Sequence, residues 1–318
     1  MKAIWLENNK IQFKTALPEP SPKQNEALIK IDLAGICSTD IALIKGYYDF
    51  TGIIGHEFVG TVIKAIQAPE LIGKRVVGDI NMACRQCHFC QSGLSNHCEN
   101  RKVLGILNHP GVFAEYMTLP VDNLHIIPDS VSNEVAVFIE PLAASLQIQQ
   151  QINIENSDQV LVIGAGKLGQ LIAQSLKTTD CQLAVSVRYE HQKQCLEKMG
   201  ISNQDDIENI SGKYDIVIEA TGSENGLQQA IQCVKPKGRI VLKSTYANHA
   251  KINLSAIVVK EITLIGSRCG PFDKAINLLK NKQVQPQLLI DKIIDFDDAL
   301  QAIHQAQQKG SLKIILKM

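Results

Sequence analysis

The sequence lacks a net charge: its 32 Lys and Arg residues balance 32 Asp and Glu. Nothing in it attracts a polyanion, so neither nucleic acid nor an anionic membrane is an expected partner. It lacks any apolar run near the ~20 residues of a membrane span. The opening stretch MKAIWLENNK carries no apolar segment of signal-peptide length. A soluble, cytoplasmic protein is therefore expected. Low-complexity segments, long charge runs and internal repeats are also missing. The nine cysteines do not make an even set, and without a secretion signal they argue against a disulfide framework and for a reducing compartment.

What is present is enough for two domains. The chain has 318 residues, 45% of them hydrophobic, and single cores stop growing at roughly 250–300 residues. The first ~140 residues hold short β-type runs between turn signals, among them ALIKIDLAGI (27–36), EFVGTVIKAI (57–66) and KRVVGD (74–79). The pattern changes near Glu140. Strand-like QVLVI (159–163), LAVSV (183–187), YDIVIEA (214–220), RIVLK (239–243) and EITLIG (261–266) then alternate with helical spacings such as Leu168, Leu171, Ile172 and Leu176. This alternation predicts an α/β fold with a doubly wound parallel sheet. The tail carries helical stretches at 273–282 and 297–307 and a strand-like LKIIL. It is too short for a domain and is expected to return and complete the first one.

Four cysteines, Cys84, Cys87, Cys90 and Cys98, fall within fifteen residues. Closely spaced thiolates on a loop converge on one tetrahedral ion, and four of them close its shell, so a structural zinc is expected. An iron–sulfur cluster is the rival, weakened by the absence of a following Cys-Pro pair. A second constellation is dispersed: Cys37 in GICSTD, His56 in GHEFVG with Glu57 after it, and Glu140 in FIEPLAASL. Thiolate, imidazole and carboxylate are the donors of a catalytic zinc with one open position. Each residue alone also reads as ordinary core, surface or helix-cap material.

Gly164-Ala165-Gly166-Lys167-Leu168-Gly169 fits G-x-G-x-x-G between an apolar strand and an amphipathic helix, the context of a dinucleotide site. Its glycines let a pyrophosphate reach the helix N-terminus. Val187 stands where an acid would bind the ribose of NAD, and Arg188 follows it, which points to NADP. Glu190 would serve NAD if the strand ends later. His109, His125, His191, His249 and His304 fall in no usable pattern.

GHEFVG, the cysteine lobe, EPLA and GAGKLG occur in the order of the medium-chain zinc-dependent alcohol dehydrogenases, and the sequence resembles that family over essentially its whole length, most closely the polyol and threonine dehydrogenase branches. The resemblance implies a β-rich GroES-like catalytic domain at 1–141 and 268–318, a Rossmann domain at 142–267, and a cleft between them. It implies that Cys37 and His56 bind zinc, with Glu57 and Glu140 as alternative carboxylate ligands. Asp40 would orient the imidazole, and Thr39 would relay the substrate proton. Ala42 replaces a proton-passing histidine of many relatives. Thr221 in EATG lies where the family places a cofactor loop, and Arg268 resembles an active-site arginine of the polyol branch. The expected whole is an enzyme with about two zinc ions per chain and NADP or NAD, acting on a small alcohol or carbonyl compound as a homodimer or homotetramer. A non-catalytic dinucleotide-binding redox sensor is the alternative, disfavoured because all four ligand candidates are present. A zinc-free quinone reductase is disfavoured by GHE and the cysteine lobe.

Overall fold

The structure is a computed structural model that describes residues 1–204, 207, 209–245 and 252–318; His249 lies outside them. The chain divides into two compact units. The first comprises Met1–Glu140, Ala275–Asn281 and Ile290–Met318, and the second comprises Pro141–Lys274 and Lys282–Leu289. The sequence-based division into 1–141 with 268–318 and 142–267 differs from this one: Pro141, 268–274 and 282–289 group with the second unit.

The first unit is built on β1 (Glu26–Gly35), followed by the short helix α1 (Ser38–Ile44) and by β2 (Glu57–Ala65). β1 and β2 pair antiparallel in the middle of a seven-stranded sheet, with Gly35 opposite Glu57. Both strands are mostly apolar because both sit inside the sheet; Ile29, Ile31, Ala34 and Val59 are fully buried.

The second unit holds β3 (Gln159–Ile163), α2 (Lys167–Lys177), β4 (Gln182–Ser186), β5 (Ser202–Gln204), β6 (Tyr214–Glu219), α3 (Glu224–Cys233), β7 (Val234–Leu242) and β8 (Thr263–Gly266). All strands run parallel, in the order β5-β4-β3-β6-β7-β8. The doubly wound α/β sheet predicted from the sequence is thus present. Side chains alternate across it, as strand geometry requires. Val160 and Val162 of β3 pack with Ile172 and Leu176 of α2, while Leu161 and Ile163 pack with Leu227 and Ile231 of α3. Both faces are covered, which is why β3 reads as an unbroken apolar run rather than an alternating one. Burying each such side chain contributes roughly 1.5–3 kcal/mol.

The chain then returns to the first sheet. β9 (Ile290–Asp295) pairs parallel with β10 (Lys313–Lys317), and β10 pairs antiparallel with the end of β1, Ile315 opposite Gly35.

Candidate functional site

Cys37 is the residue that caps α1, with extended backbone (φ −97, ψ 159). Asp40, three residues on and fully buried, accepts a hydrogen bond from the Cys37 amide at 2.8 Å through Oδ2. Its other oxygen lies 3.1 Å from Nδ1 of His56. One carboxylate therefore fixes the thiol-bearing turn and the imidazole ring together. With Nδ1 occupied, Nε2 is the nitrogen left for a ligand. His56 is 3% exposed. Burial alone would lower its pKa, but the neighbouring Asp40 and Cys37 hold it well above 6.5. Such an electronegative enclosure suits a cation.

Glu57 opens β2 opposite Gly35, and a Cβ at Gly35 would run into the Glu57 carboxylate. Oε2 of Glu57 pairs with Nζ of Lys313, the first residue of β10; both side chains are 1% exposed. Burial pushes the lysine pKa down, yet Glu57, Cys37 and Asp40 raise it above its ordinary value. Oε1 of Glu57 is buried and finds no hydrogen-bond partner. An orphaned carboxylate oxygen is costly in a protein interior unless something absent from the bare chain satisfies it. One ligand atom each from Cys37, His56 and Glu57 lies within 4.8 Å of the others. Sulfur, nitrogen and oxygen gathered in one cluster, the thiol half-buried and the other two buried, fit a zinc ion with an open position.

Glu140 does not join that set. It sits half-buried in the first turn of the helix Ile139–Gln151. Burial pushes its pKa to about 7; His56 and Lys313 pull it down while Glu57 and Asp79 push it up, so it senses the same cluster. Thr39 Oγ1 lies 3.8 Å from Cys37 Sγ. No sequence motif marks Lys313. Its only signal in the sequence is a lysine just before the apolar run Ile314–Leu316.

The four lobe cysteines also converge, their sulfurs lying within 4.8 Å of one another. Backbone N–H groups of Gln86 and Cys87 aimed at Cys84 hold its thiol down to about 6. Burial and the adjoining sulfurs push Cys90 up to about 12. Thiols stacked this closely, with Cys87 Sγ 3.5 Å from Cys90 Sγ, suit a cation that takes the place of their protons.

In the second unit the three glycines of GAGKLG each have a distinct physical reason. Gly164 has φ +103, and a Cβ there would stand 2.8 Å from the Ala220 carbonyl oxygen. A Cβ at Gly169 would collide with the Gly164 carbonyl. At Gly166, the residue capping α2, nothing lies within 4 Å, so a ligand can approach the backbone. Lys167, Leu168 and Gly169 form the first turn of α2, where N–H groups have no partner within the helix. The strand order reverses between β3 and β6, and ligands of such sheets bind at that crevice. Thr221 follows β6. β4 ends at Ser186, one residue earlier than the sequence suggests, leaving Arg188 exposed just beyond it and Glu190 at the start of the next helix. Arg268 is exposed, and its carbonyl accepts from Lys243 Nζ at 2.9 Å.

The alcohol dehydrogenase GroES-like domain matches residues 23–129, and the zinc-binding dehydrogenase domain matches 168–281. The chain is 28% identical to the sorbitol dehydrogenase of Halalkalibacterium halodurans, covering 94% of this chain and 93% of that protein. It is 30% identical to the L-threonine 3-dehydrogenase of Stenotrophomonas maltophilia, covering 83% and 81%. The crystal structure of the alcohol dehydrogenase rspB from Escherichia coli CFT073, solved with NADH, superposes with a TM-score of 0.91 at 28% identity, covering 100% of this chain and 99% of that one. The chain belongs to the medium-chain zinc-dependent alcohol dehydrogenase family, oxidoreductases that pass a hydride between an alcohol or polyol carbon and a nicotinamide dinucleotide.

Proposed function

We propose that this chain interconverts a secondary alcohol or polyol and its carbonyl counterpart, with zinc held by Cys37, His56 and Glu57 and with Glu140 as the exchanging carboxylate. The observation that carries the reading is the sulfur–nitrogen–oxygen cluster of half-buried Cys37 with buried His56 and Glu57, one carboxylate oxygen of which is left orphaned. Zinc, when bound there, supplies a Lewis acid that lowers the pKa of the substrate hydroxyl. A nicotinamide dinucleotide, when bound at Gly164–Gly169, supplies the hydride acceptor. The chain's own residues do the rest. Asp40 keeps His56 in the tautomer that presents Nε2. Lys313 neutralises one Glu57 oxygen. Thr39, beside Cys37, relays the hydroxyl proton, accepting it on Oγ1 as it gives up its own. Ala42 has no ring to pass that proton on, so water would carry it away from the Thr39 hydroxyl, and a bound dinucleotide would add its own hydroxyls to that route.

Gly166 and α2 hold the pyrophosphate in this reading, with Lys167, Leu168 and Thr221 beside it, and Arg188 pairs with a 2′-phosphate, favouring NADP. Arg268 meets substrate oxygens. The cysteine lobe holds the second, structural zinc. The first unit is the catalytic domain and the second the dinucleotide domain. A cytoplasmic setting suits nine cysteines that form no disulfide. Among the described residues no helix is long and apolar enough to cross a membrane. Assembly into dimers or tetramers is supported by exposed Leu254, Val258 and Val259 near the edge strand β8. The deciding experiment is a turnover screen of sugar alcohols and secondary alcohols with both dinucleotides, alongside zinc analysis. Turnover that survives intact in Cys37→Ala would sink the reading.

A further inference from the structure

The second unit contains a fully buried carboxylate that the proposed chemistry does not use. Glu219 is the last residue of β6 and is 0% exposed. Its Oε1 accepts three hydrogen bonds: from the Thr221 amide at 2.8 Å, the Thr221 hydroxyl at 2.6 Å and the Ser244 hydroxyl at 3.0 Å. Because both hydroxyl protons point at the carboxylate, the hydroxyl oxygens present lone pairs to the backbone. Thr221 Oγ1 accepts the Ser223 amide at 3.0 Å, and Ser244 Oγ accepts the Gly222 amide at 2.8 Å. One oxygen thus fixes, through two hydroxyls, the amides of the whole Thr221–Gly222–Ser223 turn. Charge-assisted bonds of this kind are about twice as strong as neutral ones. Space is kept for it: a Cβ at Gly226 of α3 would strike both the Glu219 carboxylate and the Thr221 hydroxyl.

That turn is one wall of the crevice at the switch point. The Ala220 amide donates to the Ile163 carbonyl at 2.9 Å, and a Cβ at Gly164 would stand 3.0 Å from Thr221 Cα. The loop after β6 therefore rests directly on the loop that begins G-x-G-x-x-G. Any tilt of the Thr221 turn moves the glycine loop or opens a gap beside it.

We infer that Glu219 is a positioning residue for the dinucleotide: by locking the Thr221–Gly222–Ser223 turn against Gly164 it sets the affinity of the crevice without touching the ligand. The inference rests on the reading of that crevice as the dinucleotide site. It is tested on the full chain by titrating NADPH and NADH into wild type, Glu219→Gln, Glu219→Ala and Ser244→Ala while following cofactor fluorescence. Glu219→Gln keeps an acceptor oxygen at Oε1 and should bind within about threefold of wild type, whereas Glu219→Ala should bind about tenfold or more weakly. In steady state the loss should appear in the KM for the dinucleotide, with kcat at saturation and zinc content little changed. If Glu219→Ala fails to fold, Ser244→Ala, which removes one strut only, should still weaken binding about threefold or more. Wild type that binds neither dinucleotide defeats the underlying site reading. Wild type that binds, with the folded alanine variants equally tight, overturns the role of Glu219 alone.

Discussion

The two clusters of metal-type donors among the described residues are assembled in opposite ways. The lobe sulfurs come from Cys84 to Cys98, one short loop of half-buried and buried thiols whose own backbone amides point at them. The Cys37–His56–Glu57 cluster joins a half-buried thiol to two buried groups, drawn from the residue that caps α1 and from the chain entering β2, and it depends on Asp40 and Lys313 to hold and neutralise it. A site made of like donors on a loop closes on its ion and can be self-sufficient. A site of unlike donors with one side left open must borrow its rigidity from the sheet around it.

The sharpest way to break this comparison is to remove a donor from each cluster. Cys37→Ala should abolish turnover, by about a thousandfold or more if the zinc supplies several kcal/mol of charge stabilisation, while atomic absorption still finds the lobe metal. Cys84→Ser should instead lower thermal stability and shorten the working life of the enzyme, with the folded fraction still turning over at its first-measured rate. Equal behaviour of the two variants would erase the distinction. Next in size is Lys313→Met. Leaving Glu57 buried without its partner should cost about 3–5 kcal/mol in urea unfolding; a shift no larger than that of an exposed lysine would show that the site does not lean on β10. Smaller again is Arg188→Ala, expected to lower the NADPH-to-NADH preference about tenfold, the loss of one charge-assisted contact. An unchanged ratio assigns the arginine to solvent.

The smallest effect concerns a charge outside both clusters and serves as their reference. Burial pushes the Asp215 carboxyl up, but Lys235, at 2.8 and 2.9 Å, together with the Gln159 amide and Arg239, holds it below 3.8. Its folded pKa is depressed. The stability it contributes is therefore present above 3.8 and is lost as pH falls through the folded value. Asp215→Asn should flatten the acid limb of a stability profile slightly and leave activity at neutral pH alone.

How much of this was legible in the sequence depended on how local the signal was. QVLVI, predicted as a strand at 159–163, is β3 residue for residue, because four consecutive apolar positions beside a glycine loop leave few options. β5 carried no such signal: Ser202–Gln204 is a short polar edge strand that buries nothing apolar of its own. The lobe cysteines were found by spacing. Cys37, His56 and Glu57 became persuasive only through resemblance, since nothing in a linear chain says that residues 37 and 56 face each other. Lys313 could not be read at all, because a lysine before an apolar run looks like a strand end until the partner strand is known. Glu219 was hidden likewise: its hydroxyl partners lie 2 and 25 positions away.

The Glu57–Lys313 pair spans 256 positions. On a ribosome adding roughly 5–20 residues per second, the glutamate is made about 13–50 s before its cation emerges. Until then the nascent first sheet has neither the lysine nor β10 along the edge of β1. The site therefore takes its final form after the intervening second unit has been synthesised, and any premature stop upstream of residue 313 leaves Glu57 in the first sheet without its cation.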